Sequence, residues 1–338
     1  MAEFDFKDFF GSIDQSFLFA QLKENGYSVS DFEESIIRGF VQQNSRGISL
    51  GTSISLFLAN AVCWDLDRRF EDEGLRFARY ADDTVVWSNE YHKTCKAFEI
   101  ISAFSDRSGI DINMVKSEGI SLLQASDMPS EFSRTKEHIE FLGYRLSGKS
   151  VSIKRASVKK IKKQASYLLY RNLIQPINSE TLRAVTVPNN DKDRDFVTAV
   201  VQVRRYLYGN LNDEVIRRYL DGTYKRLKFK GVMSFYPLID DEDQLRQLDG
   251  WLLSSIYLAL KKRQKLFKRF RYDVGGQFPF NLSRQELLNE CKRKEYGGQQ
   301  GLMAIPSFLR IYKAIKKGLQ DEGIEETMNP TSNIYNYI

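Results

Sequence analysis

Alternation of apolar and polar residues predicts short strands in the first third of the chain. Phe4 and Phe6 flank a polar residue in one strand-like segment, which is followed by a turn at Gly11-Ser12. Further on, Phe77-Ala78-Arg79 and Thr84-Val85-Val86-Trp87 stand on the two sides of a short polar turn. Two apolar stretches joined by so short a turn predict a β-hairpin.

Apolar residues at helical spacing predict helices over most of the remaining chain. The clearest of them cover residues 54–70, 91–104, 158–169, 194–208 and 251–260. Gly209-Asn210 supplies a stop signal after the fourth, and Pro188-Asn189-Asn190-Asp191 marks a loop before it. Short strands followed by a long helical region predict the α+β class, with a small antiparallel sheet and helices packed behind it.

Two adjacent carboxylates, Asp82 and Asp83, occupy the turn of the predicted hairpin. Side by side they repel each other, so the pair is costly unless a cation neutralises it. Oxygen ligands of this kind suit Mg²⁺. An Asp-Asp pair on its own would indicate a polar turn, so the metal hypothesis depends on a further carboxylate nearby.

Asp5 supplies that further carboxylate at the start of the chain. It lies at the end of the first strand-like segment, with Phe9 and Phe10 behind it, and could project into the same cleft as Asp82. Two metal ions about 4 Å apart need carboxylates from separate segments of the chain. An acidic surface patch is the alternative interpretation.

Five segments resemble motifs A to E of reverse transcriptases, in the order and at the spacing of that family. They are Asp5-Phe6-Lys7-Asp8-Phe9-Phe10 (motif A), 51–60 (motif B), Tyr80-Ala81-Asp82-Asp83 (motif C), 109–117 (motif D) and Phe141-Leu142-Gly143-Tyr144 (motif E). The resemblance covers roughly residues 1 to 150. Its style is that of bacterial enzymes of the retron, group II intron and phage-defence (abortive-infection) kind.

The resemblance implies an RNA-directed DNA polymerase that adds dNTPs to a primer 3′ end with two Mg²⁺ ions, or Mn²⁺ in their place. By the same resemblance Asp5 and Asp82 are the principal metal ligands. Asp83 and the backbone carbonyl of Phe6 complete the set. Lys116 corresponds to a lysine that protonates the leaving pyrophosphate, with an ordinary surface lysine as the open alternative.

Three positions are implied to contact the incoming dNTP. Phe10 matches a bulky ring that excludes a 2′-hydroxyl, although a core Phe is the alternative, and Gly51 would lie beneath the nucleotide. Asp8 lies near the triphosphate in the family, or is structural. Leu50 departs from the family, in which Gln usually precedes this glycine. Motif E, from Phe141 through Leu142 and Gly143 to Tyr144, corresponds to the primer grip.

The family has a fingers region before motif A, whereas this sequence begins four residues before Asp5. We therefore expect an N-terminally truncated sequence, or a fingers-bearing polypeptide that supplies the missing part. The predicted domains are a palm at 1–150, a helical thumb-like region at 151–230 and a helical C-terminal extension at 231–338.

Two basic stretches in the helical regions are candidates for nucleic-acid binding. Lys159, Lys160 and Lys163 lie around the apolar stripe of the thumb-like region and could track a duplex backbone, or simply form a solvated face. Seven basic residues at 261–271 are interleaved with Phe267 and Phe270. They could bind single-stranded nucleic acid by charge and stacking, or form a basic helix with Leu266, Phe267 and Phe270 in the core.

Composition narrows the function classes. The 338 residues carry a formal charge of +6, which suits a phosphate-rich partner. Only two histidines are present, which excludes a histidine metal site, and the three cysteines have no metal-ligand spacing. A reducing cytoplasm is the natural setting for these cysteines, and the absence of a signal peptide and of a long apolar span implies no membrane anchor.

The expected partners are an RNA template, a DNA or RNA primer, dNTPs and, as a further candidate, a non-coding RNA. Two other functions stay open: template-independent DNA synthesis on the same palm, and a non-catalytic nucleic-acid-binding remnant. A nucleotide cyclase with a related palm is disfavoured by motif E and the basic thumb. A role in phage defence rests on family style, which is an analogy.

Overall fold

A computed structural model describes residues 1–26, 29–42, 46–117, 119–124, 135–178, 193–272, 274 and 276–329. The chain divides into two compact units, Met1–Phe141 and Leu142–Ile338. Each unit has its own hydrophobic core. Antiparallel strands in the first unit and long helices in the second confirm the predicted α+β class.

The first unit contains strands β1 to β7 and helices α1 to α6. The strands are β1 Ala2–Phe4, β2 Arg76–Tyr80, β3 Asp83–Trp87, β4 Gly119–Ile120, β5 Leu122–Leu123, β6 Thr135–Lys136 and β7 His138–Phe141. The helices are α1 Phe9–Ser12, α2 Gln15–Glu24, α3 Asp31–Val41, α4 Ser53–Val62, α5 Trp64–Asp72 and α6 Tyr91–Ser108.

The main sheet of the first unit has the strand order β2-β3-β1-β4. Strand β1 lies in its interior and runs antiparallel to both neighbours, β3 and β4. Phe4 and Val86 of these strands are buried, and Phe4 meets Phe98 of α6 with ring centroids 4.7 Å apart. The apolar face of the sheet therefore packs on α6, and this packing fixes where the ends of β1 and β3 lie.

The second unit contains helices α7 to α14 and two small hairpins. The helices are α7 Arg155–Leu173, α8 Gln175–Asn178, α9 Arg194–Tyr208, α10 Asp213–Leu220, α11 Glu242–Arg269, α12 Arg284–Arg293, α13 Phe308–Glu322 and α14 Ile324–Thr327, with a 3₁₀ helix at Val232–Phe235. The strands are β8 Tyr144–Ser147, β9 Val151–Ile153, β10 Glu295–Tyr296 and β11 Gln299–Gln300.

The core of the second unit lies between α7, α9, α11 and α13. Leu169 of α7, Val203 of α9, Leu252 of α11 and Ile311 of α13 are all buried in it. The predicted thumb-like region and the predicted extension thus share one core. The boundary predicted between them at residue 230 stays a prediction. So does the end of the palm at residue 150.

Two predicted elements differ from the structure. The stretch 54–70 is two helices, α4 and α5, because the backbone turns at Cys63, which caps the end of α4 and the start of α5. Residues 151–153 form strand β9 rather than a helix, because β-branched Val151 and Ile153 pair with β8 across a turn. The loop at Pro188-Asn189-Asn190-Asp191 lies outside the described residues.

None of the helices in the described part of the chain combines the length and the apolar character that crossing a bilayer requires.

Candidate active site

The acidic hairpin is formed by β2 and β3. Tyr80 pairs with Asp83, so Ala81 and Asp82 alone make the turn between the strands. Ala81 has a φ of 54°, a left-handed conformation that a residue with a β-carbon seldom adopts. Asp82 is half-buried in this turn and Asp83 is exposed. The two adjacent carboxylates are thus presented at the end of the sheet, as the sequence predicts.

Arg79 of β2 supports this turn. Its guanidinium donates to the Ala81 carbonyl oxygen at 2.9 Å, to Asn60 Oδ1 at 3.2 Å and to Asp67 Oδ1 at 2.8 Å. The Arg79 side chain is only 6% exposed. Charge-assisted hydrogen bonds in such a setting are strong and directional. Arg79 therefore links helices α4 and α5 to the turn and holds the left-handed conformation that places Asp82.

Asp5 reaches the hairpin because it directly follows β1. Phe4 at the end of β1 lies opposite Thr84 of β3. Extended by one residue, this antiparallel register brings Asp5 to the level of Asp83. Carboxylates that are far apart in the sequence therefore meet at one end of the sheet.

The segment that follows α6 holds both oxygens of the Asp5 carboxylate. Asn113 Nδ2 donates to Oδ1 at 2.9 Å, and Lys116 Nζ donates to Oδ2 at 2.9 Å. The Asp5 backbone N–H donates to Ser117 Oγ at 3.2 Å. The Asp5 side chain is 11% exposed, whereas that of Lys116 is 65% exposed. The Lys116 ammonium thus lies at the surface, directly on the Asp5 carboxylate.

The charged side chains of the site lie close enough to shift one another's pKa values. Burial raises the pKa of Asp82, and the neighbouring charges of Asp83 and Asp5 raise it further, while Lys116 acts in the opposite direction. The hydrogen bond to Asp5, and then the Asp5 charge, raise the pKa of Lys116. The site concentrates negative charge that the Lys116 ammonium partly offsets.

The donor chemistry of this cluster fits a hard divalent cation, since it consists of carboxylate oxygens. Among the described residues, however, no group of three or more Asp, Glu, His or Cys side chains is arranged so that it could hold a metal ion. The Asp5 carboxylate is instead bound to Lys116 and Asn113. The ammonium group of Lys116 therefore neutralises the Asp5 carboxylate, which the sequence predicts to be a metal ligand.

A cleft of about 490 Å³ opens beside the hairpin. Phe10, Gly51, Asp82 and Asp83 line it together. Gly51 has a φ of +94°, and a β-carbon there would meet nothing within 4 Å. A side chain at this position would therefore project into open space. Two of the three predicted dNTP-contacting residues thus lie in one cleft with the hairpin carboxylates.

Leu50 lines the same cleft and is 71% exposed. The position at which the sequence departs from the family pattern is therefore a large apolar side chain open to solvent. It follows that any group bound in the cleft would meet an aliphatic surface at this point rather than a polar amide.

Asp8 and Phe6 are not among the residues that line this cleft. Asp8 is exposed, has a φ of 40°, and precedes α1, with its carboxylate beside Gly11 of that helix. The Phe6 ring is buried against Phe104, and Phe6 forms an isolated bridge with Ile112. The hydrogen bonds of this bridge are formed by the backbone oxygen of Asp5 and the backbone nitrogen of Lys7. The Phe6 carbonyl takes no part in the bridge.

The four predicted primer-grip residues are consecutive in the chain where the first unit ends, at Phe141, and the second begins, at Leu142. Phe141 ends β7, and Tyr144 begins β8. Between them Leu142 and Gly143 both have positive φ, at 46° and 85°, as a type I′ turn requires. Tyr144 donates its hydroxyl to the Phe235 carbonyl at 3.1 Å, and burial raises the Tyr144 pKa to about 12.

The three predicted nucleic-acid-binding lysines lie on α7 of the second unit. Lys159, Lys160 and Lys163 are exposed on the face opposite the buried Ile161 and Ala165. None of the three forms an ion pair with the described residues. Like the other assigned site residues, they stay a prediction.

Sequence reasoning missed the residues that position the carboxylates. Arg79 and Asp67 lie on different elements, and their contact depends on how α5 packs beside β2. No hydrophobic pattern indicates such a contact. Asn113 belongs to the segment that resembles motif D, so the sequence indicated that it lies near the site. Its hydrogen bond to Asp5 was not predicted.

Comparison with known families adds an independent finding. Residues 1–146 match the family model described as reverse transcriptase (RNA-dependent DNA polymerase). The reverse-transcriptase resemblance of this part of the chain is thereby confirmed, and it supports a nucleotidyltransferase family. The narrower bacterial, retron-like or phage-defence style stays a prediction.

Among solved structures, telomerase from Candida albicans in complex with the TWJ fragment of telomeric RNA is similar at 14% identity and a TM-score of 0.35. The similarity covers 86% of this chain and 47% of that one, so the chain spans about half the length of this relative. No curated protein sequence matched the chain.

Proposed function

We propose that the first unit transfers deoxynucleotides to a primer 3′ end under the direction of an RNA template. One observation carries the proposal: the cleft that contains Phe10 and Gly51 is lined by the Asp82-Asp83 pair, within residues that match the reverse transcriptase family. Phosphoryl transfer of this kind depends mostly on positioning and on charge stabilisation.

In this account Asp5 and Asp82 are the principal ligands of two Mg²⁺ ions, with Asp83 and the Phe6 carbonyl in support. When bound, such ions activate the attacking hydroxyl and stabilise the leaving oxygens; Mn²⁺ would serve in the same place. Burial is the main cause of the raised pKa of Asp82, and the charges of Asp83 and Asp5 add to it; a cation would offset this negative charge. Asn113 holds the Asp5 carboxylate in orientation through its hydrogen bond to Oδ1.

The nucleotide would lie in the cleft, with its sugar against Phe10 and its base plane over Gly51. The Phe10 ring would exclude a 2′-hydroxyl sterically and so favour dNTPs over rNTPs. Lys116 has two assigned roles: it binds Asp5 in this structure, and it would donate a proton to the departing pyrophosphate. Asp8 is assigned a supporting role near the triphosphate.

The second unit would hold the nucleic acid. Exposed Lys159, Lys160 and Lys163 on α7 would contact phosphates of the template–primer duplex without reading sequence. Residues 141–144 would act as the primer grip. The partners in this account are an RNA template and a DNA or RNA primer.

Phage defence and a non-coding RNA partner are part of the proposal by analogy with bacterial members of the family. A cytoplasmic setting is part of it because the three cysteines suit a reducing compartment. None of these adds to the chemistry of the cleft.

Primer extension on RNA templates of permuted sequence tests the proposal. With Mg²⁺ and all four dNTPs, we expect products whose sequences are complementary to each template. A template-independent polymerase is the rival that Leu50 permits without requiring it, because its 71% exposed aliphatic side chain replaces an amide near the base and sugar. A product that does not change with template sequence would establish that rival.

A non-catalytic binder is the remaining alternative. It would retain affinity for the template–primer duplex and show no extension with either metal. In an enzyme, Asp82→Ala would instead remove extension and leave duplex binding intact, because binding depends on the basic residues of the second unit.

A further inference from the structure

The C-terminal half of α11 carries a basic surface without acidic neighbours in its sequence. Five exposed basic residues form it, together with two partly exposed rings, and we call this set the α11 basic–aromatic surface: Lys262, Lys265, Lys268, Arg269, Arg271, Phe270 and Tyr272. The helix has no Asp or Glu after Asp249. Uncompensated charge of this kind marks a surface for an anionic partner.

The rest of the basic run has a different role, which the structure separates from this surface. Arg263 is fully buried and bonded to Asp193 and Asp195. Phe267 is fully buried, and Lys261 donates to the Phe280 carbonyl at 3.0 Å. The alternative that placed Leu266, Phe267 and Phe270 in the core is therefore confirmed for Phe267. It is wrong for Phe270, which is 48% exposed.

Some exposed basic residues of the second unit are paired, whereas those of the α11 basic–aromatic surface, like the α7 lysines, are not. Arg246 binds Glu242 and Asp243, and Lys317 binds Asp321. Within the described part of the chain, none of the five basic side chains of the α11 basic–aromatic surface forms an ion pair. A helix dipole accounts for basic residues in the last turn only, and Lys262 and Lys265 precede that turn.

The two rings are held where a base could stack on them. Tyr272 packs edge-on against buried Phe267 with centroids 5.8 Å apart and is 38% exposed. Arg269 Cζ lies 6.0 Å from the centroid of the Phe270 ring. Arg271, between the rings, has a φ of 63°. This left-handed residue ends the helix and turns the chain between the two aromatic positions.

Lys262, Lys265 and Arg269 lie on one face of α11 at i, i+3 and i+7 and span about 10 Å. That is the length of about three stacked nucleotides at 3.4 Å each. The surface is also distinct from the α7 lysines. Arg263 donates to the Leu173 carbonyl, and Leu173 lies about 15 Å along α7 from Lys163.

We propose that the α11 basic–aromatic surface binds single-stranded nucleic acid, with phosphates on its lysines and arginines and a base on the Phe270 ring. Stacking on exposed rings is open to unpaired bases and closed to the interior bases of a duplex. Single-stranded RNA and single-stranded DNA share this chemistry. The proposal does not depend on polymerase activity.

Binding of labelled oligo(dT) and oligo(rU) to the full chain, measured by fluorescence anisotropy, tests it. We expect Phe270→Ala to weaken binding about tenfold, within the range for loss of one stacking ring, and Phe270→Trp to restore it. Lys265→Gln with Lys268→Gln should lower the slope of log affinity against log salt by about 1.4, at 0.7 per phosphate contact. Comparison of the two oligonucleotides distinguishes RNA from DNA as the preferred strand.

The matched control is Lys313→Gln with Lys316→Gln, which removes two exposed basic residues of α13. It should leave the affinity and the salt slope of the wild type nearly unchanged. Photo-cross-linking with 5-iodouracil oligonucleotides should label the peptide that contains Phe270 and Tyr272. Unchanged oligonucleotide binding by both α11 variants, with cross-links elsewhere, would overturn the proposal. Binding of this surface to anionic lipid vesicles in preference to oligonucleotides would also overturn it.

Discussion

At the residue scale, the Asp5 carboxylate is bound by a lysine at the place where a metal ion is expected. Lys116 Nζ lies 2.9 Å from Asp5 Oδ2 and is mostly exposed. A divalent cation that binds Asp5 must therefore compete with this ammonium. The lysine end of this pair is exposed and its carboxylate end is buried, so we expect a contribution on the order of 1 kcal/mol and a competition that is measurable.

Lys116→Met should therefore tighten Mn²⁺ binding, by up to about fivefold if the full ion-pair energy is recovered. Titration of Mn²⁺ followed by electron paramagnetic resonance measures this without any turnover. Lys23→Met, which removes an exposed charge from α2 of the same unit, is the matched control and should leave the affinity unchanged. Equal or weaker Mn²⁺ binding by the Lys116 variant would contradict the competition.

The residues of the site differ in how far the sequence predicted them. The meeting of Asp5 with Asp82 and Asp83 was predicted, because short motifs at family spacing encode strand register as well as chemistry. The support from Arg79 to the Ala81 carbonyl was not predicted. It depends on a side chain that reaches between a strand and two helices, and no periodicity in the sequence records such a contact.

At the element scale, helix α2 is capped by the carboxylate of Asp14, the residue that precedes it. Asp14 Oδ1 accepts from Ser16 Oγ at 2.6 Å and from the Phe17 N–H at 2.9 Å. These two bonds lower the pKa of Asp14 below its ordinary value of 3.8. A lowered carboxyl pKa stabilises the folded state above about pH 4, and the contribution is lost as the pH falls through the folded-state pKa.

Asp14→Ala should therefore lower the free energy of unfolding by about 1 kcal/mol at neutral pH, and by less as the solution is acidified below pH 3.8. Asp14→Asn keeps a capping oxygen without a titrating group, so its stability should change little at neutral pH. Chemical denaturation at several pH values checks both. An alanine variant as stable as the wild type at neutral pH would contradict the assigned cap.

Elements with strong periodicity were predicted well, and those set by packing were not. Helix α9 spans Arg194–Tyr208 as the apolar spacing and Gly209 indicated. The interruption at Cys63 was missed, because the apolar pattern continues from α4 into α5. The turn there brings Asp67 towards Arg79, and this requirement arises from tertiary structure rather than from local propensity.

At the scale of the whole molecule, the second unit has a buried ionic network in its core. The side chains of Arg263 and Asp193 are both 0% exposed, and Arg263 Nη1 also donates to the Leu173 carbonyl at 3.0 Å. Asp193 in turn caps α9 by accepting from the Phe196 N–H. Removing one member leaves an uncompensated buried charge, which is costly.

Arg263→Met should therefore destabilise the second unit by about 3–5 kcal/mol. The double variant with Asp193→Asn should recover part of the loss, because Asn keeps the cap without a charge. Hydrogen exchange of peptides from α7, α9 and α11 measures the effect locally. Arg269→Met, at an exposed arginine of the same helix, is the control. A loss no larger than that of the control would show that the network contributes nothing.

The role of the basic residues at 261–271 could not be predicted from the sequence, because it depends on tertiary packing. These seven basic residues have similar surroundings in the sequence, yet Arg263 is buried in an ion pair while Arg269 is exposed. Which of them faces the core is set by the packing of α11 on α7 and α13. The reverse-transcriptase match, in contrast, was predictable from five short motifs in the first 146 residues.

The most direct test of the central claim is single-nucleotide addition to a primer on an RNA template with Mg²⁺. The account predicts addition by the wild-type chain, a loss of about a hundredfold or more in Asp82→Asn with unchanged template–primer binding, and wild-type rates in Glu71→Gln, an exposed carboxylate of α5. Addition by Asp82→Asn at the wild-type rate would contradict it. So would the absence of addition by a wild-type chain that binds the template–primer duplex.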